Sequence, residues 1–222
     1  IFINYYDILK KVFFLGFVLV TLLFWILNIK SIFADENTDK TIFVAYDLQN
    51  LNDAEDFRTS KEVIYQIANY YLLHDDTSVI LQSYGSMNQN SIEINRENIK
   101  LSIDDYLSNL ESESEGLISN HYLAISDGFT QIAENVNVSN SKLYLISPLN
   151  INIDEPSEIK LKNLSELYSS SEIKLNIMAL PSSLAINRDF FAELSNKTKG
   201  YFIDFGTNKS YTDFIKLFLN DP

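Results

Sequence analysis

The amino-acid sequence predicts an α/β fold: a doubly wound, mostly parallel six-stranded sheet with helices on both faces, preceded by an N-terminal hydrophobic helix. The first observation behind this prediction is that short apolar runs alternate with amphipathic helical patterns from residue 41 onward, as in sheets that are covered on both faces. The second is that most of these runs are apolar at nearly every position, which is typical of parallel strands buried on two sides. Right-handed crossovers between such strands produce an open, doubly wound sheet.

The predicted strands are short runs rich in Ile, Val, Phe and Tyr, residue types that favour strands. Five of them predict buried strands, over residues 41–46, 78–84, 142–146, 173–180 and 201–205. A sixth run, residues 91–94 (SIEI), is short and alternates between polar and apolar side chains, which favours an edge strand.

Helices are predicted between the strands from capping signals and apolar spacing. Thr59–Glu62 and Ser102–Asp105 read as capping boxes that begin two helices. Apolar residues recur at spacings of three and four from Ile118 to Val136, the most regular helical pattern in the chain. Pro156 falls in a first turn. The last two helices are predicted around residues 190–194 and after Ser210.

The N-terminal part of the chain differs sharply from the rest. Residues 12–29 are almost uninterruptedly apolar and follow a short N-terminus, residues 1–11. As a helix this stretch would be about 27 Å long, close to the roughly 30 Å hydrocarbon core of a bilayer. Lysines precede it and acids follow it, which predicts a cytoplasmic N-terminus and an exported remainder. The same residues also read as a secretory signal cleaved after Ala34.

These two interpretations predict a single-pass membrane protein with an extracytoplasmic domain, or a secreted protein. Residues 30–40 are then a linker and residues 41–220 the folded domain. Because residue 1 is Ile and not Met, we expect the sequence to be part of a longer chain.

Composition excludes several classes of function. The chain carries 30 acids against 17 bases, and residues 1–33 hold a net +2, so the remainder carries −15. That excess of acid argues against nucleic-acid binding driven by phosphate neutralisation. The absence of cysteine excludes disulfides, thiolate zinc sites and thiol nucleophiles. Two histidines, His74 and His121, are too few for a histidine-rich metal cage, and we expect His121 to be a polar loop residue facing the cleft.

One candidate site follows from the sheet itself, since ligands in such folds bind beyond the carboxyl ends of the strands, at the topological switch point. Asp47 closes the first predicted strand, and it is the residue most suited to hold a metal or act as a nucleophile there. Its alternative role is structural, because an Asp at this position accepts hydrogen bonds from the amides that follow it.

The strand order, the Tyr84–Ser86 end of the second strand and the stretches 191–194 and 199–202 resemble a von Willebrand factor A domain over about residues 40–220. The resemblance implies an adhesion or protein-interaction role. It also implies a metal-ion-dependent adhesion site, in which an aspartate and two serines follow the first strand, a threonine precedes the third helix and an aspartate follows the fourth strand.

This metal motif departs from the family's pattern. The aspartate and two serines of the family motif correspond to Asp47, Gln49 and Leu51 in this chain. The threonine position falls near Ser119, with Asn120 adjacent, and the later aspartate position falls on Ser147–Leu149. Only Asp47 is retained, and Ser119 is a possible hydroxyl substitute. Since magnesium requires six oxygens in near-octahedral geometry, we expect no cofactor, and at most weak Mg²⁺ binding at Asp47.

Two further interpretations remain open. Asp47–Leu51 (DLQNL) resembles the opening of the NYN branch of PIN-like nucleases, which use clustered acids and divalent metal to cleave RNA. That resemblance implies a metal-dependent ribonuclease using Asp47, although Ser147–Asn150 stand where those enzymes place acids. The other interpretation is structural, with the domain packing against a missing C-terminal part of its own chain.

The sequence thus predicts a non-catalytic, metal-independent interaction module that binds an unidentified protein, with a membrane contact through residues 12–29 if they are not cleaved. The family resemblance places the binding rim at the carboxyl ends of the strands. The candidate rim residues are Asp47, Gln49, Asn50, Ser119, Asn120, His121 and Ser147.

Overall fold

A computed structural model describes residues 40–74, 77–85, 91–111, 120–122, 124, 126, 141–150, 153–207 and 210–219. These residues all belong to one compact unit, residues 39–222. The predicted hydrophobic segment, residues 12–29, and most of the predicted helix over residues 118–136 lie outside the described residues. None of the helices in the described part is long and apolar enough to cross a membrane.

The centre of the fold is a six-stranded sheet, as predicted. The strands are β1 (Lys40–Asp47), β2 (Thr77–Tyr84), β3 (Ser91–Glu93), β4 (Lys142–Ser147), β5 (Lys174–Ala179) and β6 (Phe202–Asp204). They lie in the order β3-β2-β1-β4-β5-β6. All neighbouring pairs are parallel except β2 and β3, so the alternating run at residues 91–94 is the antiparallel edge strand that its pattern indicates.

Five helices with described bounds cover the two faces, and helical residues are also described at 121, 122, 124 and 126. They are α1 (Ala54–His74), α2 (Ile99–Glu111), α3 (Glu155–Ser170), α4 (Ala185–Lys197) and α5 (Ser210–Leu219). Buried side chains of α1, α2 and α5 pack in one core, and those of α3 and α4 pack in the other. Alternate residues of β1 serve the two cores, with Val44 in the first and Phe43 in the second, because successive side chains of a strand point to opposite faces.

Two predicted helix starts were wrong. Helix α1 begins at Ala54, where the Asp53 carboxylate accepts the amides of Glu55 (2.8 Å) and Asp56 (3.0 Å); Thr59 is instead buried within the helix. Helix α2 begins at Ile99, and the Ser102 hydroxyl donates to the Asn98 carbonyl oxygen one turn back (3.0 Å). Hydroxyl residues make such bonds inside helices as well as at their ends, so the two capping-box patterns did not mark the termini.

The start of α3 matches its prediction. Pro156 lies in the first turn, and the Asp154 carboxylate accepts the Ser157 amide (3.0 Å). A proline costs little there, because the first amides of a helix have no partner within it.

Candidate functional site

The switch point of the sheet lies between β1 and β4. The chain leaves β1 toward α1 on one face and leaves β4 toward α3 on the other. The two strands are paired in register, with Tyr46 opposite Ile146. The last residues of the two strands, Asp47 and Ser147, are therefore neighbours at the point where the fold favours a ligand.

The Asp47 carboxylate is fully buried and hydrogen-bonded through both oxygens. Oδ1 accepts the Gln49 amide (3.0 Å), which starts the 3₁₀ turn Leu48–Asn52. Oδ2 accepts the Ser147 hydroxyl (2.7 Å), and Asp47 has no exposed surface. The predicted structural role of Asp47 and its predicted position at the switch point are thus combined in one residue.

Ser147 is the centre of this network. Its Oγ donates to Asp47, accepts the Leu149 amide (2.9 Å) and lies 2.7 Å from Nε2 of His121. Because the single hydroxyl proton is used by the carboxylate, Nε2 of His121 must carry the hydrogen of the Ser147–His121 bond. The imidazole is therefore the neutral Nε2–H tautomer, with a lone pair on Nδ1.

His121 is buried, with 1% of its surface exposed, where the sequence predicted a loop residue facing an open cleft. It is the first described helical residue after Asn120, and its ring packs between Tyr84 (centroids 5.6 Å apart) and Phe191 (5.2 Å). Nδ1 has no hydrogen-bond partner in the described part of the chain. Burial lowers the pKa of His121 to about 4, although the Asp47 carboxylate, 3.8 Å from Nε2, acts in the opposite direction.

Tyr84 completes the wall of the site. It is buried at the end of β2, and burial together with the nearby Asp47 carboxylate raises its pKa well above the ordinary value for tyrosine. The imidazole of His121 and the phenol of Tyr84 are therefore both neutral at pH 7, beside the Asp47 side chain and the Ser147 hydroxyl.

This arrangement does not resemble a serine-protease relay. In such a relay the serine donates to the imidazole, and the other ring nitrogen donates to the carboxylate. Here Ser147 donates to Asp47, and the same nitrogen, Nε2, faces both partners. All three side chains are buried, so a substrate could not reach the hydroxyl without a rearrangement.

The described residues also lack a metal cluster. No group of three or more His, Asp or Glu side chains among them could hold an ion. The aspartate expected after the fourth strand is replaced by Ser147, as the sequence indicates.

The predicted rim residues divide into three groups. Asp47, His121 and Ser147 come together but are buried, so they cannot form an exposed rim. Asn120 is exposed and Gln49 is half-buried. Ser119 and the side chain of Asn50 lie outside the described residues.

A second hydrogen-bonded cluster at the same end of the sheet was not predicted. The Asp56 carboxylate, in the first turn of α1, accepts the backbone amide of Ser182 (3.1 Å) and its hydroxyl. Burial raises the pKa of Asp56, and the two bonds from Ser182 oppose that rise. These bonds join the start of α1 to the loop between β5 and α4.

The loops after β4 and β5 are joined in turn. Asn150 Oδ1 accepts the amide of Leu184 (3.1 Å), and the Asn187 side-chain amide donates to the Leu149 carbonyl oxygen (2.6 Å). Leu149 is fully buried and has a φ of 54°, a conformation that non-glycine residues rarely adopt. The hydrogen bond from its amide to Ser147 and the hydrogen bond from Asn187 to its carbonyl oxygen hold it there. Leu149 therefore connects the buried site to the exposed loops.

The only sequence signal for this second cluster is positional. The loop that begins at Pro181 follows a predicted strand and so lies at the ligand-binding end of the sheet. Nothing in the letters of Asp56 and Ser182, 126 residues apart, indicates that they pair.

Solved structures share this architecture at low sequence identity. The N-terminal domain of TFIIH p34 matches with a TM-score of 0.57 and 10% identity, over 82% of this chain and 97% of that chain. The VWA domain of SpRpn10 matches with a TM-score of 0.58 and 12% identity, over 79% of this chain and 93% of that one.

The pilus adhesin SpaC from Lactobacillus rhamnosus GG, in its open conformation, matches with a TM-score of 0.56 and 10% identity, over 84% of this chain but 31% of the adhesin. No protein-family model matches the chain, and no curated protein gives a significant sequence match. On the structural comparisons, this chain has the fold of von Willebrand factor A domains.

Proposed function

We propose that this protein is an exported von Willebrand factor A-type domain, membrane-anchored through residues 12–29 or secreted, that acts as a non-catalytic, metal-independent protein-interaction module. The shared fold supports the general role, since the domains of similar structure include part of a pilus adhesin. The hydrophobic segment and the positive charges that precede it support export.

The observation that carries metal independence is the Asp47–Ser147–His121 network. Both carboxylate oxygens of Asp47 accept protein hydrogen bonds, and the imidazole of His121 fills the space beside them. An ion would have to displace these donors, and Ser147 supplies a hydroxyl where the family supplies a second carboxylate. Magnesium favours carboxylate oxygens and water in octahedral geometry, and the protein donors that already occupy both Asp47 oxygens support metal independence.

Calorimetric titration of the purified chain with MgCl₂ and with MnCl₂ tests this part of the proposal. We expect no saturable binding below millimolar concentration, and identical titrations for wild type and Asp47→Ala. A saturable site well below millimolar that disappears in Asp47→Ala would contradict metal independence.

An RNA-cleavage assay with MnCl₂ tests the non-catalytic part. We expect no cleavage above that of a buffer control, because Asp47 is buried and the described residues hold no group of three or more acids or histidines that could bind an ion. Manganese-dependent cleavage that is lost in Asp47→Ala would support the nuclease interpretation instead.

A further inference from the structure

The loops after β4 and β5 expose three neighbouring side chains at the carboxyl end of the sheet, which we call the Leu184 patch: Asn150, Ser182 and Leu184. All three are exposed, and hydrogen bonds join them, since Asn150 Oδ1 accepts the Leu184 amide and its Nδ2 lies 3.5 Å from Ser182 Oγ. None of them belongs to the buried Asp47 network.

Leu184 is an unfavourable choice for its local structure. It is the N-cap of α4, and its side chain makes no capping hydrogen bond. Ser, Thr, Asp or Asn at an N-cap stabilises a helix by about 1 kcal/mol relative to an apolar residue. Half of the Leu184 side chain (50%) is exposed, so burial compensates only partly for the missing cap. A residue that breaks a local rule without an evident structural gain is a candidate for function.

Hydrogen bonds to the rest of the fold hold the backbone of the patch. Asp56 accepts hydrogen bonds from Ser182, and Asn150 accepts one from the Leu184 amide. Leu149, the residue before Asn150, is hydrogen-bonded to Ser147 and Asn187. A contact residue that is already ordered loses less conformational entropy on binding.

The charge around the patch indicates the partner. Asp53 and Glu55 are exposed in the turn that holds Asp56, and Asp154 and Glu155 are exposed four and five residues after Asn150. Asp53 and Asp154 also cap their helices. The bases beside these segments are Arg58, exposed on α1, and Arg188 on α4, whose guanidinium donates to the Ser183 carbonyl oxygen and pairs with Asp204. The exposed acids of the two segments outnumber these bases, which favours lysine and arginine on the partner.

We propose that the Leu184 patch is the contact site for a folded protein whose surface offers an apolar pocket ringed by lysine or arginine. This inference rests on the proposed interaction function and names the surface and the partner's chemistry. It also moves the contact away from Asp47, since recognition here depends on the loops after β4 and β5.

A photo-cross-linking experiment tests the site. The full chain is expressed in its own cells with p-benzoylphenylalanine at position 184 or, as a control, at position 73. Leu73 is an exposed leucine (65%) near the C-terminal end of α1, at the opposite end of the sheet. We expect a discrete adduct from position 184 and none from position 73.

The captured protein is then purified and titrated with the full chain. We expect Leu184→Asn to weaken binding at least tenfold and Leu73→Asn to change it less than twofold, with wild-type affinity falling as salt rises. Thermal unfolding of Leu184→Asn should stay close to that of wild type, which separates lost contact from lost fold.

The contrary outcomes separate the two proposals. No adduct from position 184, or an adduct whose affinity Leu184→Asn leaves unchanged, overturns the patch as the contact site. If position 73 alone captures a protein, the interaction function stands and only the assignment of the surface is wrong. Absence of adducts from both positions counts against the patch and against the interaction function together.

Discussion

The carboxyl end of the sheet carries two hydrogen-bonded regions that differ in what they expose. The Asp47–Ser147–His121 network is almost completely buried, whereas the Leu184 patch is exposed. Leu149 bonds to Ser147 in the network and to Asn187 on α4, and it directly precedes Asn150 of the patch. In the buried region every hydrogen bond supports the fold, because buried polar groups are costly when they lose their partners. In the exposed region the fold gains little from Leu184, so its side chain is available for contact.

The sharpest test of the buried region is Ser147→Ala, for which we expect the largest loss of stability. Removing Oγ leaves the Asp47 carboxylate, His121 Nε2–H and the Leu149 amide each short of a partner in a buried site. At 1–3 kcal/mol for each buried group, with incomplete additivity, the loss is on the order of 4 kcal/mol. Urea denaturation measures it.

Ser83→Ala is the matched control for this change. Ser83 is also a fully buried serine near the end of a central strand, but its hydroxyl has no hydrogen-bond partner in the described part of the chain. We expect this variant to lie within about 1 kcal/mol of wild type. Equal losses for the two serines would show that the network does not stabilise the fold.

The second prediction concerns pH. The folded pKa of His121 is about 4, below the ordinary value of 6.5, so the unfolded chain binds more protons than the folded chain between these values. The contribution of neutral His121 to the free energy of unfolding is therefore fully present above pH 6.5. It decreases by about 3 kcal/mol as the pH falls toward 4. Urea midpoints across this range should fall more steeply for wild type than for His121→Gln, which cannot titrate. Parallel curves would contradict a buried neutral imidazole facing Asp47, Tyr84 and Ser147.

Much of the fold can be predicted from the amino-acid sequence, because strands and helices have local sequence patterns. Residues 41–46 are apolar at nearly every position, and both faces of β1 are in fact buried. Helix starts were harder: Thr59 and Ser102 carry the letters of a capping box, but Asp53 caps the first helix from six residues earlier. Several hydroxyl and acidic residues near a terminus satisfy the same pattern, and packing decides among them.

The site was predictable only in part. Asp47 ends a strand at the switch point, a position that the strand order alone indicates. The role of His121 depends on Ser147, 26 residues away, and on burial between Tyr84 and Phe191, so its sequence neighbours Ser119 and Asn120 suggested a polar loop instead. Leu184 follows a proline and two serines, which indicates a turn but not that leucine would occupy an N-cap.

A smaller effect on stability is expected for the Asp56–Ser182 hydrogen bonds, which join α1 to the loop between β5 and α4. Asp56→Ala removes both hydrogen bonds between the two residues, whereas Ser182→Ala removes only the hydroxyl bond, so the double variant should lose less than the sum of the single variants. The coupling should be about 1 kcal/mol, since Ser182 is exposed and water replaces part of the bond. A double-mutant cycle by urea denaturation measures it, and strict additivity would show that the hydroxyl bond between Ser182 and Asp56 does not stabilise the fold.

The smallest effect on stability is expected for a substitution of the exposed residue Leu184. Leu184→Asn supplies the missing N-cap, worth about 1 kcal/mol, and loses the half-buried leucine, which costs a similar amount. Stability should therefore remain within about 1 kcal/mol of wild type. Differential scanning calorimetry checks this, and a large loss would mean that Leu184 serves the core and not a partner.

The neutral imidazole of His121 lies at the point of the sheet where the fold favours a ligand. Nitrogen-15 NMR of the imidazole rings tests this directly, and His74→Gln leaves His121 as the one remaining histidine, which assigns its signals. We predict the Nε2–H tautomer of His121 at pH 7. Its nitrogen chemical shifts should stay unchanged on adding MgCl₂ to about 10 mM, roughly tenfold above the millimolar limit for a physiological site. An imidazolium at pH 7, or a saturable change in the His121 signals on adding magnesium, would contradict it.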